Sequence, residues 1–312
     1  MKFALVFPGQ GSQSLGMMSA YDDEPLVRAT FAVASRALGR DLWQLASDGP
    51  AEELAQTVNT QPLMLTAGVA VYRLWRAKGG PLPAMVAGHS LGEYAALVAA
   101  GVLSLDDAVP LVELRARAMQ EAVPAGEGAM AAILGLGAEA IKAVCAEVAH
   151  DQVVEAVNFN APEQTVIAGH KVAVERAAEA LKAKGAKRAL MLPVSAPFHC
   201  TLMQPAAAKL KARLEPLSFA APAMPVLNNV DVACVTDPEK IKDALVRQVA
   251  APVRWVETMR AMQQAGFTHV FECGPGKVLA GLVKRCADGL AGGAMADKAG
   301  LEAALAAVNG QG

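Results

Sequence analysis

The chain has 312 residues, with 28 Lys or Arg and 30 Asp or Glu, which give a formal net charge of −2. Without a basic excess, the composition excludes nucleic acid as a predicted partner. Hydrophobic residues reach 54% while aromatic residues are only 4%, and this aliphatic composition favours helices packed on a sheet. The five cysteines form no C-x-x-C pair, so neither a disulfide framework nor a metal site is predicted.

The apolar runs of the chain are short. The first run ends at Pro8, and the longest later run, near residues 95–103, falls well below the roughly 20 residues that cross a bilayer. We therefore expect a cytoplasmic protein with no membrane partner.

The first part of the chain has β-α-β order. An apolar run at 2–7 ends in a glycine-containing loop, helical periodicity follows at 27–38 and 62–75, and a break at 79–81 precedes another strand. Alternating strands and helices predict a parallel sheet. The loop lacks the lysine and the glycine spacing of a P-loop, so an ordinary strand-to-helix turn is the simpler interpretation.

Residues 86–94 predict a buried strand, a sharp turn and a helix, with Ser90 at the turn. Gly88 and Gly92 flank the serine in a G-x-S-x-G pattern, which is typical of a nucleophile elbow. A strand that turns directly into a helix crowds the backbone, and residues without Cβ relieve the crowding. The Leu91 N–H at the start of the helix would point to a developing oxyanion. The pattern also occurs by chance in loops, but the flanking strand and helix favour catalysis.

The next predicted helix carries one cation among apolar residues. Ser104 and Asp107 are typical of its start, whereas Pro110 predicts a kink or a later start. Helical spacing places six residues on one stripe: Ala108, Leu111, Val112, Arg115, Met119 and Ala122. Arg117 points away from that stripe. A buried guanidinium needs an anion, and the spacing fits a carboxylate substrate, an internal ion pair or a snorkelling side chain equally well.

Short elements then follow in the order strand, helix, strand, strand, helix, strand. Their predicted ranges are 129–136, 138–150, 153–158, 165–168, 172–184 and 188–192. The order βαββαβ is that of a ferredoxin-like unit. The fold class is therefore α/β: a large domain with a mostly parallel sheet at 1–125 and 196–312, and an inserted ferredoxin-like subdomain at 126–195.

The last third of the chain continues the large domain. We predict helices at 203–214, 239–249 and 301–308, strands at 226–230 and 268–273, a strand-to-helix turn at 274–277 and a flexible break at 289–293.

A nucleophilic Ser90 needs a general base. His199, in a proline-bounded loop at 193–200, is the main candidate. The other histidines are His89, which adjoins Ser90 but is expected to face the opposite way, His150 and His170 at the ends of subdomain elements, and His269 at the start of a strand. The residues alone leave this choice open.

Five features in chain order resemble the malonyl-CoA:acyl carrier protein transacylase family. They are the loop at 9–13, the elbow at 88–94, Arg115, the segment 197–199 and Gln248. The resemblance covers nearly the whole chain, and its most specific parts are the glutamine loop and the elbow. It implies an α/β-hydrolase-like large domain with a ferredoxin-like insert.

The resemblance also implies catalytic roles. Ser90 would attack a malonyl thioester while His199 takes the proton, and the main-chain carbonyl of Gln248 would orient that histidine. The N–H groups of Gln10 and Leu91 would hold the oxyanion. A main-chain orienting group agrees with the absence of any Asp or Glu that stands out as a third triad member.

Substrate recognition is implied for three further residues. Arg115 would bind the malonyl carboxylate, Phe198 would narrow the acyl pocket in favour of malonyl, and Asn160 would lie near the cleft. The partners would be malonyl-CoA, as the substrate, and acyl carrier protein, with no separate cofactor, and we expect a monomer. The acyl group would move in two steps through a malonyl-serine for fatty-acid or polyketide synthesis.

Two other functions fit parts of the sequence. An esterase or thioesterase on the same fold would share the elbow but would have no use for a cation on a buried stripe, so Arg115 argues against it. A non-catalytic scaffold protein is disfavoured because the serine, the histidine and the oxyanion loop are all present.

Overall fold

The computed structural model describes residues 1–194 and 196–310. Its strands are β1 (Phe3–Phe7), β2 (Met85–Gly88), β3 (Gly128–Leu134), β4 (Val154–Ala161), β5 (Gln164–His170), β6 (Arg188–Met191), β7 (Val226–Leu227), β8 (His269–Glu272) and β9 (Ala291–Ala294). Its α-helices are α1 (Pro25–Leu38), α2 (Leu42–Asp48), α3 (Ala51–Ala55), α4 (Thr57–Ala77), α5 (Gly92–Ala99), α6 (Leu105–Glu121), α7 (Ala138–Val148), α8 (Lys171–Ala183), α9 (Gln204–Leu214), α10 (Pro238–Val249), α11 (Trp255–Gln264), α12 (Val278–Cys286) and α13 (Lys298–Val308). Within the described residues, no helix has the length and apolar character needed to cross a membrane.

Ser195, Gln311 and Gly312 lie outside the described residues. Ser195 ends the predicted insert, and the other two end the predicted large domain.

A five-stranded parallel sheet, in the order β7-β2-β1-β8-β9, forms the centre of the larger part. Every residue of β1 is buried. Phe3, Leu5 and Phe7 face one core while Ala4 and Val6 face another, as expected for a parallel strand covered on both sides. Because the strands run in the same direction, the loops after β1, β2 and β7 meet at one edge.

A separate sheet, in the order β4-β5-β3-β6, has antiparallel neighbours throughout. Ala129, Ala131 and Ile133 of β3 face a core that also contains residues of α7 and α8. Met130 points to the opposite face and joins the main core of the molecule. This alternation packs one face of the sheet on its own two helices and the other on the rest of the chain.

The predicted later start of the helix near Pro110 is wrong. Helix α6 begins directly after Ser104, whose Oγ accepts a hydrogen bond from the Asp107 N–H at 3.1 Å. Pro110 therefore lies inside the helix and removes one N–H donor from it. Val109 and Leu111 on either side are fully buried, and this tertiary packing stabilises the helix through the proline.

The predicted flexible break at 289–293 is wrong from residue 291 onward, where β9 pairs in parallel with β8. A Cβ on Gly293 would lie 2.7 Å from the Phe271 ring, and one on Gly292 would lie 2.7 Å from the Ala280 carbonyl oxygen. The glycines are therefore required by close packing of the edge strand and do not indicate flexibility.

Other differences concern the ends of elements. The strand predicted at 226–230 stops at Leu227, because the Asn228 side chain accepts the Asp231 N–H at 2.8 Å and turns the chain. Helix α4 begins at Thr57, earlier than the predicted residue 62. Helices α2 and α3, of 7 and 5 residues, are too short for periodicity to indicate them.

Candidate active site

The backbone around Ser90 is tightly constrained. Ser90 lies between β2 and α5 with φ at 52°, a left-handed conformation that non-glycine residues adopt only where the surroundings impose it. A Cβ on Gly88 would lie 1.9 Å from the Gly92 carbonyl carbon, and one on Gly92 would lie 2.0 Å from the Phe7 carbonyl oxygen. Both glycines of the pattern are thus required for the strand to turn directly into the helix.

Asn229, which follows β7, holds the elbow from the neighbouring strand. Its Oδ1 accepts the Ser90 N–H at 2.7 Å and its Nδ2 donates to the Gly88 carbonyl at 2.7 Å. Asn229 is fully buried, so both ends of its amide are used within the protein. Sequence reasoning missed this residue.

His199 is hydrogen-bonded to Ser90. The distance from Ser90 Oγ to His199 Nε2 is 2.7 Å, and His199 Nδ1 lies 2.9 Å from the Gln248 carbonyl oxygen. A carbonyl only accepts, so Nδ1 carries the proton and Nε2 is free to accept one. Burial, and next the charge of Arg115, lower the pKa of His199 to about 3. The imidazole is therefore neutral near pH 7.

The other histidines are placed differently. His89 Nε2 lies 2.8 Å from Asn160 Oδ1, and the His89 ring packs against Trp255 with centroids 5.4 Å apart. His170 Nδ1 accepts a main-chain N–H at 2.9 Å, and His269 lies at the amino end of β8. His199 is the histidine that bonds Ser90 within the described residues.

Arg115 is 1% exposed and its guanidinium reaches the nucleophile. Nη2 donates to Ser90 Oγ at 3.1 Å and to Gln248 Oε1 at 3.0 Å, while Nη1 donates to Gln61 Oε1 at 2.8 Å. Its Cζ lies 5.4 Å from the centre of the Tyr94 ring. Among the described residues no carboxylate forms a salt bridge with Arg115, so the internal ion pair considered from the sequence is not found there.

The predicted stripe of α6 is confirmed for its central residues. Buried members are Ala108, Leu111, Val112, Arg115 and Met119. Arg117 is on the other face, with a side chain that is 62% exposed and an Nη2 atom 3.8 Å from Glu113. The two arginines, only two positions apart, therefore differ completely in environment.

Gln10 and Leu91 lie at the adjacent ends of β1 and β2. Within the described part of the chain, neither main-chain N–H donates a hydrogen bond, whereas the Gln10 side chain donates to Thr57 Oγ1 at 3.1 Å. A Cβ on Gly9 would lie 2.5 Å from the His89 carbonyl oxygen and 3.8 Å from Leu91 N. The loop therefore approaches the elbow so closely that only glycine fits at position 9.

These residues surround one cavity, whose walls come from both sheets. It is lined by Gln10, Gln61, His89, Ser90, Leu91, Arg115, Met119, Met130, Asn158, Leu192, Val194, Phe198 and His199. Met130 belongs to β3, Asn158 to β4, and Leu192 follows β6 directly. Asn160 is not part of this lining, although its Oδ1 lies 2.8 Å from Nε2 of His89, which does line the cavity. The antiparallel sheet thus forms one wall of the cavity that contains Ser90.

Sequence comparison identifies the family of the chain. Residues 4–302 match the family model described as acyl transferase domain. The malonyl CoA-acyl carrier protein transacylase of Salmonella typhimurium is 57% identical over 305 residues, which are 97% of this chain and 99% of that protein. The chain belongs to the malonyl CoA-acyl carrier protein transacylase family.

Comparison with solved structures shows that the chain also shares the fold of this family. The acyl-carrier-protein S-malonyltransferase of Burkholderia pseudomallei gives a TM-score of 0.96 at 60% identity, covering 98% of this chain and 99% of that chain. A malonyl-transacylase in complex with a type II PKS acyl-carrier protein gives 0.96 at 54% identity, with 98% and 99% covered. The mixed α/β architecture, with a mostly parallel sheet and a separate antiparallel sheet, matches that of the family.

Proposed function

We propose that this chain transfers a malonyl group from coenzyme A to the pantetheine thiol of an acyl carrier protein through a malonyl ester of Ser90. The observation that carries the proposal is the surroundings of Ser90 Oγ. His199 Nε2 lies 2.7 Å from it and Arg115 Nη2 lies 3.1 Å from it. A neutral base activates the nucleophile, and a buried cation next to the reacting atom favours an acyl group that carries its own carboxylate.

The first half-reaction forms the acyl-serine. Ser90 Oγ attacks the thioester carbonyl as its proton passes to His199 Nε2, and the carbon–sulfur bond then breaks. The departing thiolate of coenzyme A takes the proton from His199. The Gln248 carbonyl keeps the ring oriented and accepts from Nδ1 throughout. Because a thioester is an activated donor, no separate cofactor is required.

The second half-reaction repeats these steps with the carrier protein. His199 takes the proton of the pantetheine thiol, the sulfur attacks the malonyl ester, and the proton returns to Ser90 Oγ as the carbon–oxygen bond breaks. Both tetrahedral intermediates carry an oxyanion. The N–H groups of Gln10 and Leu91, which make no other hydrogen bond in the described part of the chain, are the donors we assign to it.

Arg115 is the residue we assign to acyl selection. The side chains that bond Arg115, those of Gln61, Gln248 and Ser90, are all uncharged, so its positive charge is left for the substrate carboxylate. Phe198, 8% exposed in the cavity wall, limits the space beside the acyl group. Asn160 acts on substrate only through the His89 ring that it holds.

The architecture we propose is an α/β-hydrolase-like domain, residues 1–125 and 196–312, with a ferredoxin-like insert at 126–195. The strand order β4-β5-β3-β6 supports the insert. In it, β5 lies between β3 and β4, the two strands joined by α7, and β3 lies between β5 and β6, the two strands joined by α8. Two split βαβ units of this kind are the ferredoxin-like arrangement. The monomeric state and the cytoplasmic location remain predictions from the sequence.

Intact mass measurement after mixing with malonyl-CoA tests the proposal. We expect a malonyl adduct on the wild-type chain, its loss when holo acyl carrier protein is added, and no adduct on Ser90→Ala. Peptide mapping then assigns the adduct to Ser90. Rapid release of free malonate without transfer to carrier protein would identify a thioesterase instead.

A further inference from the structure

Glu93 is a buried carboxyl that touches two partners of the reacting residues. It is the second residue of α5 and is 2% exposed. Its Oε2 accepts the Asn229 main-chain N–H at 2.9 Å and the Gln248 Nε2–H at 2.8 Å. Among the described residues, no lysine, arginine or histidine forms a salt bridge with it. A carboxyl in such a place costs free energy, so its two hydrogen bonds call for a functional explanation.

Each of the two donors leads directly to the reacting atoms. Asn229 bonds the Ser90 N–H and the Gly88 carbonyl, and so fixes the elbow. Gln248 bonds the His199 ring through its main-chain carbonyl. One carboxyl oxygen of Glu93 therefore joins the segment that holds the nucleophile to the segment that holds the base.

Only one orientation of the Gln248 side-chain amide places its oxygen where it can accept a hydrogen bond from Arg115. Its Nε2 donates to Glu93 and to the Ser90 carbonyl at 3.1 Å, which leaves Oε1 to accept from Arg115 Nη2 at 3.0 Å. If the amide turned over, its NH₂ group would face the guanidinium, which has only donors. The acceptor at Glu93 favours the orientation that Arg115 needs.

We propose that Glu93 is a positioning residue that orients Gln248, and through it Arg115 and His199, by accepting hydrogen bonds at Oε2. The proposal rests on the proposed malonyl transfer. Acceptance at Oε2 does not require a negative charge, since a glutamine carbonyl at the same place also accepts. The role is therefore one of hydrogen bonding, and a neutral acceptor of the same length replaces it.

Steady-state transfer of malonyl and acetyl groups to holo acyl carrier protein tests this role, with thermal unfolding measured in parallel. We expect Glu93→Gln to stay within about threefold of wild type. Glu93→Ala is expected to lower kcat for malonyl about 10- to 100-fold, the range for small misplacement of reacting groups. The ratio of malonyl to acetyl transfer by this variant also falls, because the Gln248 amide that bonds Arg115 is no longer held by Glu93. Glu93→Asp keeps the carboxyl group but shortens the side chain, and it is expected to resemble Glu93→Ala. It replaces the alanine variant in the assay if that variant does not fold.

Glu272 provides the matched control. It is also a fully buried carboxyl in the parallel-sheet part, its Oε2 accepts the Ala280 N–H at 2.8 Å, and it does not line the Ser90 cavity. Glu272→Ala is expected to lower the unfolding temperature without changing the malonyl-to-acetyl ratio. A merely structural role for Glu93 would give that same pattern and would overturn the proposal.

Three other results would also overturn it. They are an unchanged kcat and ratio in folded Glu93→Ala, a Glu93→Gln variant as impaired as alanine, or a Glu93→Asp variant as active as wild type. The wild-type adduct assay separates this inference from the proposed function. If wild type forms no malonyl-Ser90, the function fails; if it does and the Glu93 variants behave normally, only the positioning role fails.

Discussion

His199 Nδ1 lies 2.9 Å from the main-chain carbonyl oxygen of Gln248, and no Asp or Glu among the described residues bonds the ring. A carbonyl dipole fixes the tautomer, but it stabilises a developing imidazolium less than a full carboxylate charge does. The arrangement suits an activated thioester, whose acylation demands less of the base than amide hydrolysis.

Asp231→Asn and Asp237→Asn should therefore leave malonyl transfer almost unchanged. Asp231 pairs with Arg247 at 2.7 Å on a surface where both are about 40% exposed, and Asp237 caps α10 by accepting the Glu239 N–H at 3.0 Å. Exposed pairs and single caps contribute about 1 kcal/mol or less to folding. Steady-state transfer and thermal unfolding of both variants check this. A large fall in kcat with intact folding would show that a carboxylate does orient the histidine.

Ser90→Ala should abolish acyl exchange and leave the fold intact. The substitution removes one oxygen, and with it the bonds to His199 and Arg115, while the turn made possible by Gly88 and Gly92 remains. Transfer of labelled malonyl to carrier protein and circular dichroism are the measurements. Near-normal turnover by this variant would rule out Ser90 as the nucleophile.

His199→Ala should slow acylation by about a hundredfold to ten-thousandfold, the usual contribution of a positioned general base. Because burial and Arg115 hold the pKa of His199 at about 3, its neutral form persists as the pH falls. Activity lost through protonation of this base should consequently appear only well below pH 6.5. Rapid-quench acylation across pH supplies both tests. His89→Ala and His269→Ala are the comparisons, and a greater loss in either would transfer the role of base to that residue.

Arg115→Ala should lose malonyl transfer by a few kcal/mol of activation free energy, on the order of the cost of breaking a buried charge pair. Acetyl transfer should hold or rise, since an uncharged acyl group leaves no carboxylate unpaired. Competition between malonyl-CoA and acetyl-CoA gives the ratio directly. Arg117→Ala, which changes an exposed arginine on the same helix, should leave that ratio unchanged. Equal loss of both acyl groups together with a large drop in stability would mark Arg115 as structural.

The selection of Ser90 and Arg115 was possible from the sequence because their signals are local. A glycine pattern between a strand and a helix spans a few residues, and the phase of Arg115 follows from the helical period over α6. Local patterns likewise predict β1 and the six elements of the antiparallel unit to within a few residues. The resemblance to a known family was needed for His199 and Gln248, since no local signal distinguishes one loop histidine from another.

Asn229, Glu93 and Gln61 were missed for the opposite reason. Their contacts cross 139, 155 and 54 residues of chain, so no local pattern predicts these contacts, even for Glu93, which lies within the elbow segment. Asn229 had a weak signal, because it lies near the end of the strand predicted at 226–230, which could end at the same edge as the elbow. The glycines of β9 led to a wrong prediction of a flexible break. Glycine has a low strand propensity, but here it is required because the edge strand packs closely on its neighbours.

Glu272→Gln should make folding stability less dependent on pH. Burial raises the pKa of Glu272 from 4.5 to about 7, so the folded protein binds its proton more tightly than the unfolded chain does. Stability contributed by this group is complete below about pH 4.5 and is lost as the pH rises through about 7. Relative to wild type, the glutamine variant should gain more at pH 8 than at pH 4, by up to about 3 kcal/mol. Denaturant unfolding at both pH values measures the difference, and an equal effect at the two would contradict the raised pKa.

The residues that line the cavity around Ser90 come from different parts of the fold. Ser90 stands on the loop after β2 of the parallel sheet and His199 on the loop that follows β6, whereas Met130 of β3 reaches the cavity from the antiparallel sheet. Substitution of Met130 therefore changes one wall of the cavity without replacing a residue that takes part in the proposed proton transfers. For enzyme engineering, this makes the antiparallel sheet the place to introduce substitutions when transfer of a larger acyl group is wanted. For the history of the family, it provides a route by which substrate range can drift while the chemistry stays fixed.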